Sequence, residues 1–251
     1  MRRYDFHSHL GKTRSGDANN AQQMLDDLKK FGIEKVGIVS LSANSMQENN
    51  DIIYDAMKAL PGFVEGYADI DPKDPQAHEE IDRTLGEMKM NGVKFMSWKH
   101  GYNVENCPQL DDVIDHIVKY GVHIQIHGGA SPLCTPIVWL KYAKKYPNHP
   151  FVFTHICGRE FGSTCIEAIK NIENFYVETS ANMEVDILLQ AKEVLGSKRM
   201  LFGTDWPYKP TNIEIEKLYH LGFTEEELED VFYKNAERIW QYGKIKDRQN
   251  L

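Results

Sequence analysis

The 251 residues suffice for one α/β barrel and leave no room for a second module, and a 41% share of hydrophobic side chains supplies its core. With 29 basic against 37 acidic side chains the formal charge is −8, and no long basic patch offsets it, which disfavours a nucleic-acid partner. The apolar stretch of a signal peptide and the roughly 18 apolar residues of a membrane span are both missing, and the four cysteines show no zinc-ribbon or redox spacing, so a reducing cytoplasm is the expected home.

In chain order, short apolar runs rich in β-formers alternate with amphipathic helical patterns. Strand one is expected over 3–7, followed by a helix over 21–31 with Met24, Leu25 and Leu28 inward and Gly32 ending it. Further strands are expected over 35–42, 63–70, 92–98, 121–129, 150–158, 174–181 and 199–207. Helices are expected over 48–59, from the DPKDP segment to Met90, and over 109–119, 136–145, 162–170 and 183–195. After one shorter helix, Thr224 and Glu227 form a capping box for a terminal helix over 225–241. Its inward face is Leu228, Val231, Phe232, Ala236 and Trp240. Eight strand–helix units in one domain, 1–251, are the count of a closed (β/α)8 TIM barrel. The long segment KHGYNVENCPQL after strand four is a candidate lid or pocket wall.

In such a barrel the active-site groups come from the C-terminal ends of the strands. His7 and His9 lie two apart on strand one, so period-two spacing sends both rings to one side. Lys94 lies in strand four, His127 ends strand five, His155 ends strand six and Asp205 ends strand eight, which borders strand one when the barrel closes. Imidazole and carboxylate suit a divalent ion such as zinc, whose open position acidifies a water. Asp205 is placed to touch both the ion and that water and to take its proton. The rival reading of each residue is a satisfied rim or core group.

The segments DFHSH, GVKF, IQIHGG, VFTHICG, FYVETS, LFGTDWP and YKNAERIW, in this order, are similar to the amidohydrolase-related branch of the amidohydrolase superfamily. Within it the chain most resembles the group containing aminocarboxymuconate semialdehyde decarboxylase and related metal-dependent hydrolases, over nearly its whole length. The resemblance implies His7, His9, His127 and Asp205 as ligands of a metal, usually zinc. It implies His155 as the group that orients or activates water, or as a ligand of a second metal in binuclear members. Lys94 is then a neighbour of the site or a carboxylated bridge between two ions, with one ion favoured. Two departures are the absence of a proline soon after the histidine pair, where LGKTRSG stands instead, and loops shorter than those of the decarboxylase group.

Lys12, Arg14, Lys99, His100, Arg159 and Lys209 follow the strands, so the mouth is expected to bind an anionic small molecule. Arg159 is the foremost candidate. Trp98, Tyr102, Trp206 and Tyr208 are expected to wall the pocket, and alternation puts Cys157 on the face of His155, which leaves a thiol ligand open. The leading expectation is hydrolysis of a small, carboxylate-bearing amide, ester or lactone by metal-activated water. The alternatives are a metal-dependent non-oxidative decarboxylase of an unsaturated or aromatic acid and a catalytically inactive binding barrel. No membrane contact is expected, and relatives of this kind are commonly homodimers.

Overall fold

The computed structural model describes residues 1–13, 16–40, 42–129 and 131–249, with side chains described as far as 242. Its eight parallel strands are β1 (Arg3–Lys12), β2 (Ile33–Ser40), β3 (Val64–Asp69), β4 (Gly92–Phe95), β5 (His123–Ile126), β6 (Phe151–Phe153), β7 (Phe175–Glu178) and β8 (Met200–Leu201). Each pairs with the next in chain order, and the two-residue strand Ala18–Asn19 folds back antiparallel on the end of β1. Closure comes from the stretch after β8. Phe6 donates to the carbonyl of Phe202, Asp205 to that of His7 and His9 to that of Trp206, each at 2.8 Å. These bonds complete the (β/α)8 barrel expected from the repeat.

The helices form where the sequence supplies their ends. Asn20 caps the helix Ala21–Lys29 by accepting from Gln23, and Ser45 caps Met46–Ala59 by accepting from Glu48. Gly32 follows the first of these with φ +71°, a left-handed conformation that glycine adopts without a steric cost. The Thr224–Glu227 capping box is present. The terminal helix is less regular than expected: Glu225–Glu229 passes through a π-helical turn, Asp230–Lys234, into Asn235–Gln249. All five residues expected on its inner face are buried.

Apolar packing lies in two layers. The larger fills the space between sheet and helices, with Phe95, Phe153, Phe175 and Trp139 among its members. The smaller sits inside the barrel and joins Tyr4, Phe6 and Tyr67 to Ala236, Ile239 and Trp240 of the terminal helix. Trp240 stacks on Tyr4 and Phe6 at ring distances of 5.7 and 5.5 Å, and its Nε1 donates to the Tyr67 hydroxyl at 2.8 Å. The terminal helix therefore plugs the barrel interior and leaves the opposite end open for polar groups. Among the described residues no helix is long and apolar enough to cross a membrane.

Candidate metal centre and active site

β1 runs five residues beyond its expected end, to Lys12, so His7 and His9 stand within it. Their rings lie 4.7 Å apart and both approach one carboxylate. Asp205 Oδ1 is 3.7 Å from His7 Nε2 and 3.2 Å from His9 Nε2. Asp205 does not end a strand as expected. It lies four residues past Leu201 with φ 54°, a turn that carries its side chain back over β1.

His155 departs from expectation in the same way. β6 stops at Phe153, and His155, Ile156 and Cys157 all adopt positive φ, of 61°, 42° and 60°. Gly128 permits this, because a Cβ there would collide with the Thr154 carbonyl and the Cys157 backbone. The turn brings the His155 ring to 5.1 Å from both His7 and His127. It also breaks the alternation expected to put Cys157 beside His155. The Cys157 thiol instead lies 2.8 Å from Cys165, buried away from the cavity and outside both groups that could hold a metal.

Among the described residues two groups gather atoms closely enough to hold a metal: His7, His9 and Asp205, and His7, His155 and Glu178. The residues fit an ion. Both ring nitrogens of His7 and Nδ1 of His9 are buried without a hydrogen-bond partner, an arrangement that is costly unless the lone pairs serve another purpose. Electrostatics agrees. Burial, with the neighbouring charges of Lys94 and the other imidazoles, holds His7 well below its ordinary value, which keeps it neutral and able to ligate. Burial also lowers His155, to about 4, against the opposing pull of Asp205. For Asp205 burial acts upward, but the His9 hydrogen bond and the charges of His155, His9 and Lys94 prevail and leave it below the usual carboxylate value.

Lys94 is fully buried, and burial brings it down to about 7 against the pull of Glu178 and Asp205. Its amine donates to Thr154 Oγ1 at 3.2 Å. Glu178, at the end of β7, was not anticipated. Burial raises it to about 8, and it contacts the backbone of His155 and of Ser180. Asp5 is likewise new. Its Oδ1 accepts from the backbone N–H groups of His7 and Thr204, each at 3.0 Å, and its Oδ2 from the hydroxyls of Ser8 at 2.7 Å and Thr204 at 2.5 Å. Both carboxylates follow the signal that exposed the histidines, a charged residue within or ending an apolar run.

The cavity over these groups has a volume of about 740 Å³. His9, His127, His155 and Asp205 reach it, Met96, Trp98 and Tyr208 give it apolar walls, and Lys12, Lys99 and Lys209 lie along it. Several expected contacts are not made. Arg159 does not line the cavity. It begins the helix Gly158–Ile169 pointing into solvent, 3.7 Å from Glu184, because the left-handed turn rotates the helix start outward. His100 lies outside the lining and bonds Asp69 at 2.8 Å, and Lys99 meets the same buried carboxylate at 2.8 Å while still reaching the cavity. Trp206 and Tyr102 are packed beneath the surface instead of walling the cavity, and of the segment KHGYNVENCPQL only Lys99 lines it. Arg14 lies outside the described residues.

Comparison with known proteins places the fold and the family. Over 106 residues the chain is 28% identical to the gamma-resorcylate decarboxylase of Polaromonas sp. (strain JS666 / ATCC BAA-500), a match spanning 42% of this chain and 28% of that enzyme's own length. The fold is similar to the 2,6-dihydroxybenzoate decarboxylase from Rhizobium, with a TM-score of 0.80 at 15% identity over 96% of this chain and 99% of that one. It is also similar to a dihydroxybenzoic acid decarboxylase from Polaromonas sp. JS666 with bound manganese and the inhibitor 2-nitroresorcinol. There the TM-score is 0.79 at 16% identity over 100% and 99% of the two chains. The family model described as amidohydrolase matches residues 5–241, from the aspartate of β1 into the terminal helix, and on that extent the chain belongs to the amidohydrolase family.

Proposed function

We propose that this protein is a divalent-metal-dependent, non-oxidative decarboxylase of a hydroxylated aromatic acid. The observation that carries the reading is the sequence match to a gamma-resorcylate decarboxylase, which favours loss of carbon dioxide over the hydrolysis that heads the sequence-based expectations. His7, His9 and Asp205, with His127 from across the cavity, would hold the ion. When bound, it supplies positive charge and Lewis acidity at the substrate's oxygens. The solved decarboxylase with manganese makes manganese as suitable a candidate as zinc.

The protein's own part follows from the cavity. Met96, Trp98 and Tyr208 offer apolar surface to a flat ring, and Gly128, Gly129 and Gly158 let it approach the backbone. The lysines along the cavity suit the anionic charge of the acid. As the ring–carboxylate C–C bond breaks, its electron pair stays on the ring carbon, carbon dioxide leaves, and a solvent-derived proton must be delivered to that carbon. Asp205 and His155 border the inner cavity and relay this proton.

The test is to incubate metal-reconstituted protein with 2,6-dihydroxybenzoate and other hydroxybenzoates in deuterium oxide. The expected result is carbon dioxide and a product carrying one deuterium at the former carboxyl position, abolished in Asp205→Asn. Lactone or amide opening without carbon dioxide would instead establish the hydrolytic reading, and a protein that retains no metal would point to a binding barrel.

A further inference from the structure

His155 occupies a conformation that no strand or helix holds for it, and a few polar groups account for its position. Its backbone N–H donates to Glu178 Oε2 at 3.3 Å, and its carbonyl accepts from Asn182 Nδ2 at 3.1 Å. Its ring Nδ1 faces the backbone carbonyl of Ser180 at 3.0 Å and the Ser180 hydroxyl at 3.1 Å. A carbonyl only accepts, so Nδ1 carries the hydrogen and Nε2 is left with its lone pair.

Glu178 aims that carbonyl. Its Oε1 accepts from the backbone N–H of Ser180 and its Oε2 from the Ser180 hydroxyl at 2.9 Å, so one buried carboxylate grips both ends of the His155–Ser180 contact. Room for it comes from Gly203, where a Cβ would collide with Oε1. Both oxygens face a backbone N–H, and each keeps a lone pair to accept it whether the group is ionised or protonated, which an amide nitrogen lacks. A glutamine of the same shape would set its amide donor against one of those N–H groups in either orientation.

We propose that Glu178 is the positioning residue that fixes the tautomer and aim of His155, keeping Nε2 unprotonated for the proton relay. The role rests on the use of His155 proposed above, whereas the tautomer is measurable without any substrate or turnover. The experiment is nitrogen-15 imidazole spectroscopy of the zinc-loaded protein, with His155→Asn to assign the signal. The wild type should show His155 protonated at Nδ1. In Glu178→Gln the ratio of Nδ1–H to Nε2–H forms should fall by about tenfold, the order of one hydrogen bond's net contribution, with zinc content and far-ultraviolet circular dichroism retained. Ser180→Ala keeps the backbone carbonyl and should keep the wild-type tautomer. A wild-type His155 protonated at Nε2 overturns the proposal even if Glu178→Gln fails to fold, and so does an unchanged ratio in a folded Glu178→Gln.

Discussion

Asp5 offers the most discriminating test of how the barrel is closed. Its carboxylate joins β1 to the stretch after β8 by accepting four hydrogen bonds, yet burial, the largest effect, still raises it from 3.8 to about 6 against the donors of Ser8, Thr204 and His7. Between those values the folded state binds a proton that the unfolded chain has released, so stability falls as pH rises through the window. Asp5→Asn removes this ionisation but keeps an acceptor for the two backbone N–H groups, and its amide faces two hydroxyl oxygens able to accept. The full linkage is about 3 kcal/mol, and roughly half of it develops between pH 5 and pH 8. Urea unfolding of chelator-treated protein should therefore show Asp5→Asn gaining that amount on the wild type over this interval. Asp5→Ala strands two buried N–H groups and should lie roughly 2–6 kcal/mol below Asp5→Asn. A flat difference between wild type and Asp5→Asn would refute the argument, and a reversed one would mean that four donors outweigh burial.

His155 gives the opposite sign. Its folded-state value, about 4, lies below 6.5, so the stability it contributes is present above pH 6.5 and is lost as pH falls through 4. The loss is about 3 kcal/mol, and chelator-treated His155→Asn should show that much less acid sensitivity in the same urea assay. Gly203→Ala should lower the midpoint of thermal unfolding and weaken metal retention in equilibrium dialysis, since the added Cβ meets both Glu178 and His7. Trp240→Ala empties the interior plug and should cost about 3–5 kcal/mol in urea unfolding. A loss under about 1 kcal/mol would mean that the terminal helix contributes little to the barrel.

The barrel was legible because its signal is repetitive: eight apolar runs separated by amphipathic helices need only local periodicity. The candidate site residues were legible for a related reason, since His7, His9, His127, His155 and Asp205 each follow or interrupt an apolar run. What could not be read locally was backbone sign. Left-handed residues at 155–157 depend on Gly128 and on Glu178, and the one at 205 is bonded to His7, partners that lie far from them in sequence. That hidden turn explains why Arg159 points to solvent and why Cys157 meets Cys165 instead of the site. Asp5 and Glu178 stand in the same kind of position as the histidines, but their role depends on backbone N–H groups of Thr204 and of His155, which only the fold brings to them. Lys99 and His100 read as free cations until β3 brings Asp69 to both.

The seam between β1 and the segment after β8 also has a temporal meaning. During synthesis His7 and His9 emerge from the ribosome almost a whole chain ahead of Asp205, and closing so long a loop is an entropically slow event that local helices do not accelerate. The proposed ligand set cannot exist on a nascent chain in which β1 and the segment after β8 have not yet met. An ion bound across that join would act as a latch, and its release would require the seam to part. The rate at which bound metal exchanges with a chelator should then clock the opening of the barrel itself.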